Sequence, residues 1–361
     1  MSSRIPVTGI GVIAPGAIGV EAFRALLASG QTAVADVDRF DTTGLTTHRA
    51  ALIRDFTPKS YIPAMKLRRM NALSRLGVSA AKLAIDDCGE APGQDTGVAL
   101  GTAFGPVQTS VDYMREYVEK GAALAPPQLF AESVANAPGS HIAIEWNLRG
   151  FNVTVTQRES SALAAAMYAA SQIMKGTASA ALIGGVEEAN EMLFSVLDRI
   201  GALSDEAKPF APDRNGMVLG EGGAVLVVGA GTRKPYGFLS GFGIARDTTA
   251  SVSDWGHDHN AIVTAMKAAM DDAGVDRVDA IYASANGSRR GDEVEARAIE
   301  ALFGKPKVVA TKHVFGEYAA GGALQLVAAF LGVEEGLEHV LVNSVSAGGG
   351  IVCAVISRED A

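Results

Sequence analysis

Short apolar runs alternate along the chain with longer segments whose apolar positions recur at helical spacing. The run RIPVTGIGVIA (4–14) precedes EAFRALLASG (21–30), and GVALGTAF (97–104) precedes VQTSVDYMREYVEKG (107–121). FNVTVT (151–156) leads through a polar turn, Gln157 to Ser161, into the alanine-rich segment ending at Gly176, followed by SAALIGGVEEA (179–189) and GGAVLVVGA (222–230). After Lys234-Pro235 the scheme restarts: YGFLSGFGIA, NAIVTAMKAAMDDAG, VDAIYASANG, DEVEARAIEALFG, VVATK and GALQLVAAFLG, closing on HVLVNSV and GIVCAVIS. Strands this apolar are buried on both faces, so the pattern predicts helix-covered parallel or mixed sheets. Two successive β/α halves, 1–231 and 236–361, suggest a duplicated architecture.

A strand, a sharp turn and a buried helix are how many enzymes present a nucleophile at a helix N-terminus. Here the turn carries Glu159, a poor nucleophile, followed by Ser160 and Ser161. A serine nucleophile needs a base, and the hydroxyls are expected to cap the helix. The opening Gly9-Ile10-Gly11 mimics a dinucleotide fingerprint, but Pro15-Gly16 breaks the expected helix and no strand ending in an acidic residue follows at the right distance. No dinucleotide site is expected.

Lys and Arg total 31 against 40 Asp and Glu, a net charge of −9, in a 361-residue chain. An acidic chain without a long basic run is a poor partner for nucleic acid or an anionic membrane, and neither is expected. Two cysteines, Cys88 and Cys353, form no disulfide framework. They read as small buried thiols in a reducing cytoplasm, and no leader or membrane-spanning segment is expected. His257-Asp258-His259, with Asp254, has ligand-like spacing but precedes a helix. A lone HxH is weak evidence, so no metal and no cofactor are expected.

Nearly the whole chain resembles the β-ketoacyl-[acyl carrier protein] synthase family of the thiolase fold. The resemblance rests on VTGIGVIAPG (7–16), MKLRRMNALSRLGVSAAKLAIDDCG (65–89), LRGFNVTVT (148–156), ALIGGVEEA (181–189) and KPFAPDRNGMVLGEGGAVLVV (208–228). It implies a layered αβαβα sandwich of two related halves. It also implies a catalytic cysteine and two histidines, and this sequence has none of the three. Glu159 falls at the cysteine and Asn286, in ASANGSRRGD, at the first histidine, with both threonines of that motif absent. Glu317, in TKHVFGEYAAGG, falls at the second histidine, while Lys312 is retained. Ala347, in NSVSAGGG, replaces the phenylalanine gate.

Glutamate cannot carry a thioester, and Glu317 would set negative charge beside a developing oxyanion. Four concerted changes resemble the chain length factor, the ketosynthase-β subunit of type II polyketide synthases, although that subfamily often has glutamine where Glu159 stands. The resemblance implies a non-catalytic subunit paired with an active ketosynthase, shaping the tunnel for a polyketide or polyene chain on acyl carrier protein. Phe104, Gln108, Ser110, Tyr113 and Met114, with Ala347, are the expected tunnel residues, and Lys66, Arg68 and Arg69 the expected carrier-docking residues. Glu159, Glu317 and Lys312 should converge, either as a structural cluster or as a new acid/base site. Two alternatives stay open: an acyl-carrier-dependent decarboxylase, cyclase or hydrolase using Glu159 or Glu317, and a self-associating acyl-binding protein.

Overall fold

The structure is a computed structural model describing residues 4–229 and 231–358; the outer limits drawn for the two halves, at residues 1 and 361, lie outside the described residues. Among the described residues eleven strands make one mixed sheet; the short strand Ala17–Ile18 pairs with the end of the first, and ten lie along it in order. Those of the first half are β1 (Ile5–Ala14), β2 (Gly97–Gly101), β3 (Asn152–Val155), β4 (Ala181–Glu187) and β5 (Gly222–Val228). Those of the second are β6 (Gly237–Arg246), β7 (Ala280–Tyr282), β8 (Val308–Val309), β9 (His339–Val345) and β10 (Gly350–Ser357).

Spatial order shows the duplication directly. The first half runs β3-β2-β4-β5-β1 and the second β8-β7-β9-β10-β6, so each takes its strands in the order third, second, fourth, fifth, first. The pairing senses also repeat: the first four neighbours hold two parallel pairs and one antiparallel pair, and the last pair is antiparallel. The halves join where Ile5–Val7 of β1 pairs with Gly237–Leu239 of β6.

Helices cover both faces. The outer layers are α1 (Ala72–Cys88) over β1 and β5, and α5 (His259–Ala273) with α6 (Arg289–Phe303) in the second half. Between the halves lie α3 (Ser161–Met174) and α7 (Ala323–Glu334), whose buried alanines and leucines form the central core. This is the layered αβαβα sandwich of two related halves. Burial of apolar area on both sides of each sheet, at about 25 cal/mol per Å², is what holds the layers together.

Gly9 and Gly11 have a structural role. A Cβ at Gly9 would sit 2.2 Å from the Ala84 carbonyl oxygen, and one at Gly11 2.0 Å from that of Ala80. The glycines let α1 lie directly on β1, so their spacing serves packing. Within 65–89 the helix begins at Ala72, where Asn71 caps it by accepting from the Ser74 N–H at 2.6 Å. Residues 64–67 form a separate short turn. Cys88 lies against Thr8, and Cys353 against Asn343; both are buried. No helix among the described residues is long and apolar enough to cross a membrane.

Candidate active site

Glu159 sits in a single 3₁₀ turn, Arg158–Ser160, between the edge strand β3 and α3. Arg158 has φ +48°, a left-handed conformation that reverses the chain and aims Glu159 inward. Gly101 allows this: a Cβ there would meet the Ala162 nitrogen at 2.3 Å, so α3 starts hard against β2. Ser160 and Ser161 do not cap α3, contrary to the expectation. The Ser160 hydroxyl donates to the Ser344 carbonyl at 2.9 Å. The Ser161 hydroxyl accepts from the Gln157 N–H at 2.9 Å and lies 2.6 Å from the Arg158 carbonyl oxygen. The serines bind the turn to the strands beside it, because the α3 start is buried against them.

Glu159 is 1% exposed, and its two oxygens are held separately. Oε1 accepts from the Tyr318 hydroxyl at 2.9 Å, and Oε2 from the Ala347 N–H at 3.1 Å. Glu317, also 1% exposed, accepts at Oε2 from Lys312 Nζ and from Asn286 Nδ2, both at 2.7 Å, and at Oε1 from the Tyr318 N–H at 2.9 Å. The structure therefore brings Glu159, Asn286, Lys312, Glu317 and Ala347 together. Tyr318 is the bridge, with its N–H on one carboxylate and its hydroxyl on the other.

Two buried carboxyls share one lysine, so the cluster is neutral only when one of them holds a proton. Glu159 is that one: burial, then the negative charge of Glu317, push its pKa up to about 7, against the opposing pull of Lys312 and the Tyr318 hydroxyl. Asn286 spends its amide donor on Glu317. Its loop is fixed by Asp292, which accepts from the N–H groups of Asn286, Gly287 and Phe210.

Tyr318 was not singled out in the sequence. The signal available was its place between Glu317 and the small-residue run 319–322, a run that permits the left-handed turn in which Tyr318 has φ +66°. Its ring meets Phe104 edge-on, with centroids 4.8 Å apart. Phe104, Glu159, Tyr318 and Ala347 line a cleft of about 450 Å³. Leu193 and Trp255 supply apolar wall, and Arg158, Arg289 and Arg290 also line it. Among the described residues no cysteine or histidine lines the cleft, and the lining residues offer carboxyl, hydroxyl, amide and guanidinium groups.

The remaining expected tunnel residues lie elsewhere. Gln108 lines a second cavity. Ser110 turns its hydroxyl to the Pro106 and Ser133 carbonyls. Tyr113 packs on Phe130, and Met114 is 52% exposed. All four lie on α2 (Val107–Lys120), and none of them lines the Glu159 cleft. Of the basic trio, Lys66 is bound to Glu145 at 2.6 Å, while Arg68 and Arg69 are exposed. Asp258 accepts from the Asn260 N–H and caps α5.

Similarity to known proteins agrees with this geometry. A family model described as beta-ketoacyl synthase, N-terminal domain, matches residues 2–231, and its C-terminal-domain counterpart matches 236–344. The chain is 29% identical over 322 residues to 3-oxoacyl-[acyl-carrier-protein] synthase 2 of Vibrio cholerae, covering 84% of this chain and 78% of that protein. It is 30% identical over 368 residues to putative polyketide beta-ketoacyl synthase 1 of Streptomyces cyaneus, covering 92% and 86%. A solved structure, the ishigamide ketosynthase/chain length factor, superposes with TM-score 0.91 at 25% identity over the full length of both chains. With the doubled sheet order, the buried turn before α3 and these matches over almost its entire length, the chain belongs to the β-ketoacyl synthase family.

Proposed function

We propose that this chain is a ketosynthase-like subunit of a polyketide synthase that has given up condensation. In this reading it pairs with an active ketosynthase as a chain length factor, on chains carried by acyl carrier protein. The observation that carries the reading is the occupation of the nucleophile's turn by a buried carboxyl. Glu159 is held by Tyr318 and the Ala347 N–H, while Asn286 and Glu317 are spent on each other and on Lys312. Similarity to the ishigamide ketosynthase/chain length factor supports the partner class. In this reading Phe104 and Ala347, which line the cleft, border a growing chain, and exposed Arg68 and Arg69 meet an acidic carrier.

One observation favours a second reading, an acid/base enzyme. A carboxyl titrating near 7 at a cleft is poised for proton transfer. A reconstituted complex with an active ketosynthase separates the two. Glu159→Gln should leave turnover within a few-fold if the subunit is silent, whereas loss of a true acid/base group costs about 10²-fold or more.

A further inference from the structure

Beside the Glu159 cleft, an amine, a carboxylate and a primary amide meet in a space almost closed to solvent. Lys312, Glu317 and Asn286 are 3%, 1% and 2% exposed. Lys312 Nζ and Asn286 Nδ2 both lie 2.7 Å from the same oxygen, Glu317 Oε2, so amine and amide are no more than twice that distance apart. Asn286 Nδ2 is also 3.9 Å from the Met217 sulfur. Met217 belongs to a buried apolar cluster with Tyr318 and with Leu193 and Leu197 of α4 (Glu191–Arg199), which covers the amide.

The three groups are fixed from their backbones. The Glu317 N–H donates to the Val218 carbonyl at 2.7 Å, its own carbonyl accepts from the Gly220 N–H at 2.8 Å, and Oε1 takes the Tyr318 N–H. Asn286 Oδ1 accepts from the Ser288 N–H at 2.9 Å, which polarises the amide carbonyl and sets a donor where an oxyanion would form. Lys312 opens the short helical turn Lys312–Phe315 after β8, while Asn286 lies in the loop between β7 and α6. A bond between them would tie together two separate segments of the second half.

We propose that Lys312 and Asn286 join covalently in an isopeptide bond, with Glu317 carrying the protons. Lys312 gives one proton to Glu317 along their hydrogen bond, and the Nζ electron pair attacks Asn286 Cγ. The Cγ–Nζ bond forms as the carbonyl electrons move onto Oδ1, facing the Ser288 N–H. Glu317 then hands its proton to Nδ2 and takes a second from Nζ. The Cγ–Nδ2 bond breaks with its electron pair on nitrogen, Oδ1 becomes a carbonyl oxygen again, and ammonia leaves. Of the three ammonium protons one stays on the new amide, one on Glu317 and one goes with ammonia, so no oxidant or co-reactant is needed. A buried ion pair becomes neutral groups, which removes its desolvation cost. The ion pair is the state in which the chain folds, and the cross-link forms within it. The proposal does not rest on pairing with a ketosynthase: the amide and the carboxylate stand where the family has its two histidines.

Intact-mass spectrometry of the full purified chain after prolonged incubation tests the bond. The expected result is a mass about 17 Da below that of the sequence, one ammonia lost. Proteolysis should then release a linked pair of peptides, one carrying Asn286 and the other Lys312. Glu317→Gln keeps the size of the side chain but cannot carry a proton, and Asn286→Ala has no leaving group; each should show its full sequence mass. Size exclusion and circular dichroism establish that these variants are folded. The wild-type mass decides the question even where a variant does not fold. An unmodified wild-type chain, a loss of about 18 Da from condensation of Lys312 with Glu317 itself, or the 17 Da loss persisting in folded Glu317→Gln or Asn286→Ala would each overturn the proposal.

Discussion

At the scale of single residues, the cluster around Glu159 is an electrostatic one, two buried carboxyls and a lysine joined through Tyr318. A carboxyl with a pKa of about 7 in the fold and about 4.5 in the unfolded chain keeps its proton between those values, where the unfolded chain has lost it. Its contribution is therefore fully present below pH 4.5 and is lost as pH rises through 7. Buried Glu187, Glu188 and Glu295, pushed up to about 8, 7 and 7 by burial, act in the same sense. Urea unfolding should show lower stability at pH 8 than at pH 6. Glu159→Gln should recover part of the difference, on the order of 1–3 kcal/mol. A wild type that gains stability on going to pH 8 would contradict this.

Lys312 gives the complementary case. It is 3% exposed and bound to a carboxylate as deeply buried, so Lys312→Met should cost about 3–5 kcal/mol by stranding Glu317. Adding Glu317→Gln should recover much of that loss, measured as a double-mutant cycle in urea. The identities of Glu159, Asn286 and Glu317 were legible because each stands in a long motif of fixed order. Their bonding was not, because it runs through Tyr318, a residue that no motif marks and whose left-handed backbone is set by the turn after it.

At the scale of elements, alternating burial made the strands and covering helices readable, since a buried sheet demands apolar runs wherever it lies. The start of α1 and the direction of α2 were less so. An asparagine cap outweighed the apolar residues preceding Ala72. In α2, Tyr113 packs on Phe130 and Met114 is exposed. This narrows the test of chain-length control. In a complex with an active ketosynthase, Phe104→Ala should lengthen the product by one or two extender units, read by mass spectrometry. Tyr113→Ala and Met114→Ala should leave it unchanged. Equal effects from all three would mean that α2 borders the chain after all.

At the scale of the molecule, β3 is one edge of the sheet, and Met114, Tyr117, Val118, Phe130 and Val134 lie exposed on α2 and the segment following it. An unpaired edge and exposed large apolar side chains are features that a partner subunit would cover. The duplicated sheet order was foreshadowed by the restart after Lys234-Pro235, whereas a partner's identity cannot be written in one chain. The central claim, a subunit that pairs but does not carry the acyl chain, meets its most direct test in intact-mass analysis of the complex with an active ketosynthase after exposure to acyl-loaded carrier protein. The expected result is an acyl adduct on the active ketosynthase and none on this chain. An adduct on this chain, or no complex with any ketosynthase offered, would contradict it.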